Sequence, residues 1–212
     1  MAALQNLLRR WMRRSLSEVT AVNKERLIAF TDAVLAIIMT ILVLELDKPD
    51  EPTLSAFWAL RQNFFAYFLS FFWLGSLWMA LNTLWEKVEK ISPPVMWWSL
   101  GLLFFASFLP YATGLVSTYF DNRFIQGFYG AIVIITTICN WFLHKSLDKP
   151  NAGNQELLAA TEGYRKLLLP DIIIKCIGLV LALTVYPPVM MYSVLIAAAY
   201  IITLKAMLDR KA

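Results

Sequence analysis

Asp32 and Lys175 are ionisable residues set inside long apolar runs, Asp32 near the start of residues 26–46 and Lys175 within residues 167–186. A charged side chain at membrane depth is costly, so it marks an ion path, a proton relay or a polar network between helices. For Asp32 two readings stand: a network with Arg26 and Thr31 that holds its helix and sets a gate, or a capping acid paired locally near the interface. Trp73 or Trp78 could donate an indole N–H to it, because a buried indole takes an acceptor. Lys175 pairs with an acid, lines a water-filled crevice, or snorkels if its helix starts late with Pro170 in the first turn. Snorkelling is the favoured reading. Beyond the far end of the Asp32 run, Glu45, Asp47, Asp50 and Glu51 face a single Lys48. Repeated around an oligomer they form a rim that concentrates cations; otherwise they are an ordinary solvated loop.

Catalysis and metal binding find little to work with. The single histidine, His144, falls at the end of an apolar run, where it meets the interface or a helix C-terminus. Cys139 and Cys176 lie far apart without metal-ligand spacing and read as small packing residues. The chain contains no Walker loop, no G-x-G-x-x-G, no G-x-S-x-G and no H-E-x-x-H. It also lacks the T-V-G-Y-G filter of ordinary potassium channels. Enzymatic function is not expected, and neither a cofactor nor a resident metal is implied.

The elements that carry these residues follow from composition. Of 212 residues 59% are hydrophobic and 16% charged, with 14 Phe, 8 Trp and 8 Tyr, against about 45–50% apolar and 25% charged in an ordinary globular domain. A bilayer needs about 20 apolar residues per crossing helix. Residues 26–46, 64–85, 93–119, 124–143, 167–186 and 189–207 meet that need, so the expected fold is all-α with six transmembrane helices. Arg9, Arg10, Arg13, Arg14, Lys24 and Arg26 precede the first span, and Lys205, Arg210 and Lys211 follow the last. The loops on the opposite side hold only Lys48, Arg61 and Arg123 of the 19 basic residues. The positive-inside rule therefore puts both termini in the cytoplasm of a multi-pass cell-membrane protein. The net charge of +4 reports topology, not nucleic-acid binding.

Residues 1–22 form a basic segment whose Leu4, Leu7, Leu8 and Trp11 recur at helical spacing. It either lies on anionic lipid or is a tail that only sets topology. The membrane domain is expected over 23–208. Within it, residues 147–163 form a cytoplasmic linker with turn residues Pro150, Asn151, Gly153 and Asn154, and residues 209–212 are a tail.

The first span opens Arg26-Leu27-Ile28-Ala29-Phe30-Thr31-Asp32 and continues into an Ile/Leu-rich run. This R-x-x-x-F-[S/T]-D motif resembles the endolysosomal-type potassium channel family and its prokaryotic members. Ser107-Phe108-Leu109-Pro110-Tyr111-Ala112-Thr113 is similar to that family's S-F-x-P-F/Y-x-T pattern in the third helix. Members often carry a Trp followed by paired histidines late in the second helix; here the segment reads Trp78-Met79-Ala80-Leu81-Asn82.

The resemblance implies a homotetramer in the lipid bilayer whose first helices line a central pore. It implies a hydrophobic constriction at Ile37, Ile41 and Leu44 and a hydroxyl layer at Thr40, passing monovalent cations and K⁺ over Na⁺. The only metal would be transient K⁺. At 3.6 residues per turn those four residues share an arc of about 100°, and Asp32 lies about 140° from Ile37, pointing into the protomer. On the residues alone an aliphatic stripe of this kind simply packs. Two rivals remain: a proton-coupled transporter titrating at Asp32 with Lys175 as partner, and a membrane scaffold that conducts nothing.

Overall fold

A computed structural model describes the backbone of residues 24–209 and the side chains of residues 24–204. The expected basic segment 1–22 lies outside the described residues, as do residues 210–212 of the tail. The described chain is helical, without strands. Helix α1 spans Lys24–Glu45, its last turn Leu42–Glu45 tightened to 3₁₀ geometry. There follow α2 (Leu54–Ala59), α3 (Arg61–Lys87), α4 (Pro93–Ala106), α5 (Leu109–Thr118), α6 (Arg123–Ser146), α7 (Gln155–Thr184) and α8 (Val189–Asp209).

Five segments are long and apolar enough to cross a membrane: α1, α3, α4 with α5, α6 and α7. The sixth expected span coincides with α8, whose apolar described stretch, Val189–Leu204, is shorter than the rest. The ends are set by local chemistry. Asn122 caps α6 by accepting from Phe124 N at 3.0 Å and Ile125 N at 3.2 Å, and Thr53 caps α2 by accepting from Ala56 N. Proline at the first two positions starts α4 after Ser92, where no N–H partner is needed.

Three boundaries differ from expectation. The run 93–119 is broken at Ser107–Phe108, because Pro110 has no N–H for the Ala106 carbonyl and its ring crowds that turn. The break falls within the S-F-L-P segment. Helix α3 begins at Arg61, not at residue 64, so Asn63 enters its first turn and is buried. Helix α7 begins at Gln155, so the last part of the expected 147–163 linker is helical and only 147–154 connects α6 to α7. Asn154 caps that start, its Oδ1 accepting from Leu157 N at 3.0 Å.

The remaining connection is clamped to the α3–α4 connection by its turn residues. Buried Asn151 accepts from Glu89 N and Lys90 N at 3.2 and 2.8 Å, and donates to the Lys90 and Leu147 carbonyls, both at 3.0 Å. Asn154 also donates to the Lys87 carbonyl at 3.1 Å.

The core packs α4 on α6, α6 on α7 and α7 on α8, with α3 laid across α5. Gly178 permits the α7–α8 approach, since a Cβ there would clash with Ser193 Cβ. A buried hydroxyl cluster joins α3, α5 and α6. Thr113 Oγ1 lies 2.7 Å from the Leu109 carbonyl and 2.8 Å from Ser70 Oγ, which lies 3.2 Å from the Tyr129 hydroxyl. Such a cluster stays buried because its members partner one another.

Candidate pore-lining helix

Helix α1 has two unlike faces. Leu27, Thr31, Leu35, Ile38 and Leu42 recur every three or four residues and are buried against the protomer. On the other side Ile37 is 57% exposed, Ile41 39% and Leu44 77%, with Thr40 exposed among them. The four residues singled out from the sequence thus share one face of α1 that the described protomer leaves exposed. The 3₁₀ turn sharpens the alignment, because residues three apart eclipse in that geometry and Leu44 stacks over Ile41. Thr40 Oγ1 donates to the Ile37 carbonyl at 2.8 Å. Its proton is satisfied within the helix, and the lone pairs of the hydroxyl remain free as acceptors.

Asp32 faces the other way. Trp78 Nε1 donates to its Oδ1 at 2.9 Å, which ties α1 to α3; of the two indoles considered, Trp78 is the donor. Thr31 is buried and donates to the Leu27 carbonyl at 2.8 Å, bracing α1 internally, while Arg26 and Phe30 are exposed. Among the described residues the hydrogen bond of Asp32 therefore runs to Trp78, with Arg26 and Thr31 placed apart from it.

The outer acids are divided. Asp47 accepts from Asn63 Nδ2 at 2.9 Å, which fastens the loop after α1 to the start of α3. Glu45 is part-buried and lies over Gly114 of α5, where a Cβ would meet its carboxylate. Lys48, Asp50 and Glu51 are exposed.

The snorkelling reading of Lys175 is overturned. Pro170 lies inside α7 and not at its start, so Lys175 stands in mid-helix, only 1% exposed. Its Nζ donates to Asp171 Oδ2 at 2.6 Å and to Thr137 Oγ1 at 3.1 Å, and stands 5.4 Å from the Trp73 ring. Asp171 is equally buried. This also corrects the pairing of Lys175 with Asp32 on which the transporter reading drew. The acid was legible, since Asp171 and Lys175 are four apart and share a helix face. His144 stands in the last turn of α6, at the helix C-terminus, where it is buried and stacked on Tyr164 with ring centroids 4.5 Å apart. Cys139 is buried and packs near Gly101, whereas Cys176 is exposed on α7.

The sequence model of the family described as "Endosomal/lysosomal potassium channel TMEM175" matches residues 26–110, from the first motif into the broken third span. A potassium channel of Chryseobacterium sp. is 33% identical over 139 residues, which cover 66% of this chain and 72% of that one. The chain belongs to the TMEM175 family. Another potassium channel, from Chamaesiphon minutus, is 26% identical over 155 residues, 66% of this chain and 76% of that one. The endosomal/lysosomal proton channel TMEM175 of Rattus norvegicus is 32% identical over 103 residues, 43% of this chain and 21% of that one. In fold, the chain is similar to the crystal structure of a lysosomal potassium-selective channel TMEM175 homolog from Chamaesiphon minutus. That likeness has a TM-score of 0.67 and 23% identity, and covers 86% of this chain and 98% of the other. As a TMEM175-family protein the chain is a multi-pass membrane protein of an ion-channel family, not an enzyme.

Proposed function

We propose that this chain forms a potassium-selective cation channel in the cell membrane, a homotetramer with both termini cytoplasmic. The exposed stripe of α1 from each of four subunits lines the central pore. The observation that carries the reading is the division of α1: its opposite face is packed into the protomer, while Ile37, Thr40, Ile41 and Leu44 are left uncovered together. Four such stripes around an axis make rings of aliphatic side chains with one ring of hydroxyls between them. The bacterial relatives are described as potassium channels, which favours K⁺ as the permeant ion.

The chemistry of conduction follows from those rings. A cation passing Ile37 sheds part of its hydration and finds no oxygen in return, so that level limits current and closes by dewetting. At Thr40 the hydroxyl lone pairs hold the ion or its water and favour the more weakly hydrated K⁺ over Na⁺. Glu45 and Asp47 add negative charge near the outer end of α1, where it raises the local cation concentration. Of the motif Arg26, Phe30, Thr31 and Asp32, Asp32 positions α1 through Trp78 and Thr31 braces the helix through the Leu27 carbonyl.

The test is cation flux through the full chain reconstituted in liposomes. Wild type passes K⁺ faster than Na⁺ without a pH gradient, and Thr40→Ala narrows that preference while flux persists. Saturable flux that needs a pH gradient supports the transporter instead, and no flux supports the scaffold. A monomeric particle in mild detergent contradicts a pore built from four α1 helices.

A further inference from the structure

Behind α1, on the side away from the exposed stripe, is a cavity of about 650 Å³ bounded by α3, α6, α7, α8 and Met39 of α1. Ligand pockets run from roughly 300 to 1,000 Å³. Its wall is aromatic and aliphatic, with Phe71, Trp73, Trp78, Leu168 and Ile201 among the lining residues. Phe72, Met79 and Ile202 also line it and are exposed, so its mouth opens on the apolar flank of the protomer beside α3 and α8. An occupant enters from membrane depth, not from bulk water.

The floor is polar. Asp171, Lys175, Thr137 and Asn140 all line the cavity and are buried. The Asp171–Lys175 pair leaves the floor without net charge, and the Lys175 ammonium is held by Asp171 Oδ2, Thr137 Oγ1 and the Trp73 ring. Two acceptors stay open: Asp171 Oδ1 and Asn140 Oδ1 are buried and have no hydrogen-bond partner among the described residues. A buried acceptor without a donor is unfavourable, so the site selects a molecule that brings donors. A carboxylate would meet the second oxygen of Asp171 and repel it. An ammonium would lose its hydration beside the Lys175 ammonium, which costs more than its attraction to a carboxylate already paired. An uncharged hydroxyl supplies the donor without burying a charge.

We propose that this cavity binds an uncharged amphiphile headed by a diol, of the monoacylglycerol type. One hydroxyl donates to Asp171 Oδ1 and the other to Asn140 Oδ1, and the single chain lies along the aromatic wall toward the mouth. The site bears directly on α1. Met39 Cε lies 3.6 Å from where a Cβ on Gly75 would sit, and the cavity-lining Trp78 holds Asp32. A bound diol therefore braces α1 against α3 from behind.

The experiment is ligand binding to the full chain in mild detergent, read by native mass spectrometry. The probes are 1-decanoylglycerol, decanoate, decylammonium and glycerol. The expected result is saturable binding of 1-decanoylglycerol, at least about ten-fold tighter than decanoate or decylammonium, with no binding of glycerol. Ser76→Phe, which fills the cavity from α3, abolishes it, and Asn140→Leu weakens it several-fold. Equal affinity for the three head groups, tighter binding of either ion, or wild-type binding by Ser76→Phe overturns the proposal. Where a variant does not fold, the head-group comparison on wild type decides alone. Binding is read without conduction, so its failure leaves the channel reading untouched.

Discussion

Trp78 Nε1 donates a 2.9 Å hydrogen bond to Asp32 Oδ1, fastening α3 to the one acid in the interior of α1. The bond lies on the far side of α1 from Ile37 and Ile41, about 140° and 180° round the helix, so it bears on the helix rotation that turns those residues outward. In the proposed channel this makes Asp32 a positioning residue and not a ligand of the permeant ion.

Trp78→Phe keeps the aromatic bulk and removes the donor. A hydrogen bond to a charged group contributes about 1.5–3 kcal/mol, and this one is part-exposed, so a loss near the lower end is expected. Thermal unfolding in detergent reads it. Asp32→Asn added to Trp78→Phe should cost little more, because the two residues act through one bond. Fully additive losses would show that Asp32 is held by something else.

The buried pair on α7 makes a larger demand. Lys175→Met leaves Asp171 as an unpaired carboxylate at membrane depth, and breaking such a pair costs about 3–5 kcal/mol. Lys175→Met combined with Asp171→Leu should recover most of that loss, since the pair would be replaced by apolar packing. The same unfolding measurement checks both. A single variant as stable as wild type would contradict the paired, buried geometry.

Legibility in the sequence followed the strength of the local pattern. That Ile37, Thr40, Ile41 and Leu44 share one face of α1, with Asp32 turned away from Ile37, was readable because helical periodicity dominates an uninterrupted apolar run. That the face is left exposed was not, since an aliphatic stripe reads locally as packing. The Asp171–Lys175 pair was missed because Pro170 reads locally as a helix start, whereas the described helix runs through it from Gln155. Packing of α7 on α6 and α8 supplies what the missing hydrogen bond withholds. The polar stretch after Asn154 looked like linker by composition, although Asn154 itself was a readable cap. In the third span Pro110 was the signal for the break, overridden by the greasiness of its surroundings. The Asn151 clamp was hidden for a different reason: its partners lie on a loop some sixty residues away, and no local rule reports such a contact.

Close approach of α7 and α8 gives a third prediction. In Gly178→Ala the new methyl meets Ser193 Cβ, a fixed atom and not the tip of a flexible chain. Overpacking of this kind costs about 1–3 kcal/mol, and the two helices must part to relieve it. Ser193→Gly in the same background removes the obstacle and should restore most of the stability. The unfolding midpoints of the three proteins test this, and an unchanged Gly178→Ala would show that the interface is looser than described.

The proposed hydrophobic ring at Ile37 can be made polar without altering the packed face of α1. Ile37→Asn places an oxygen and an amide where a passing cation otherwise finds only methyl groups. K⁺ current through liposome-reconstituted channels should rise several-fold, with weaker discrimination against Na⁺, because the dehydration barrier at that level falls. An Ile37→Asn channel with wild-type conductance and wild-type selectivity would contradict the assignment of α1 as the pore-lining helix.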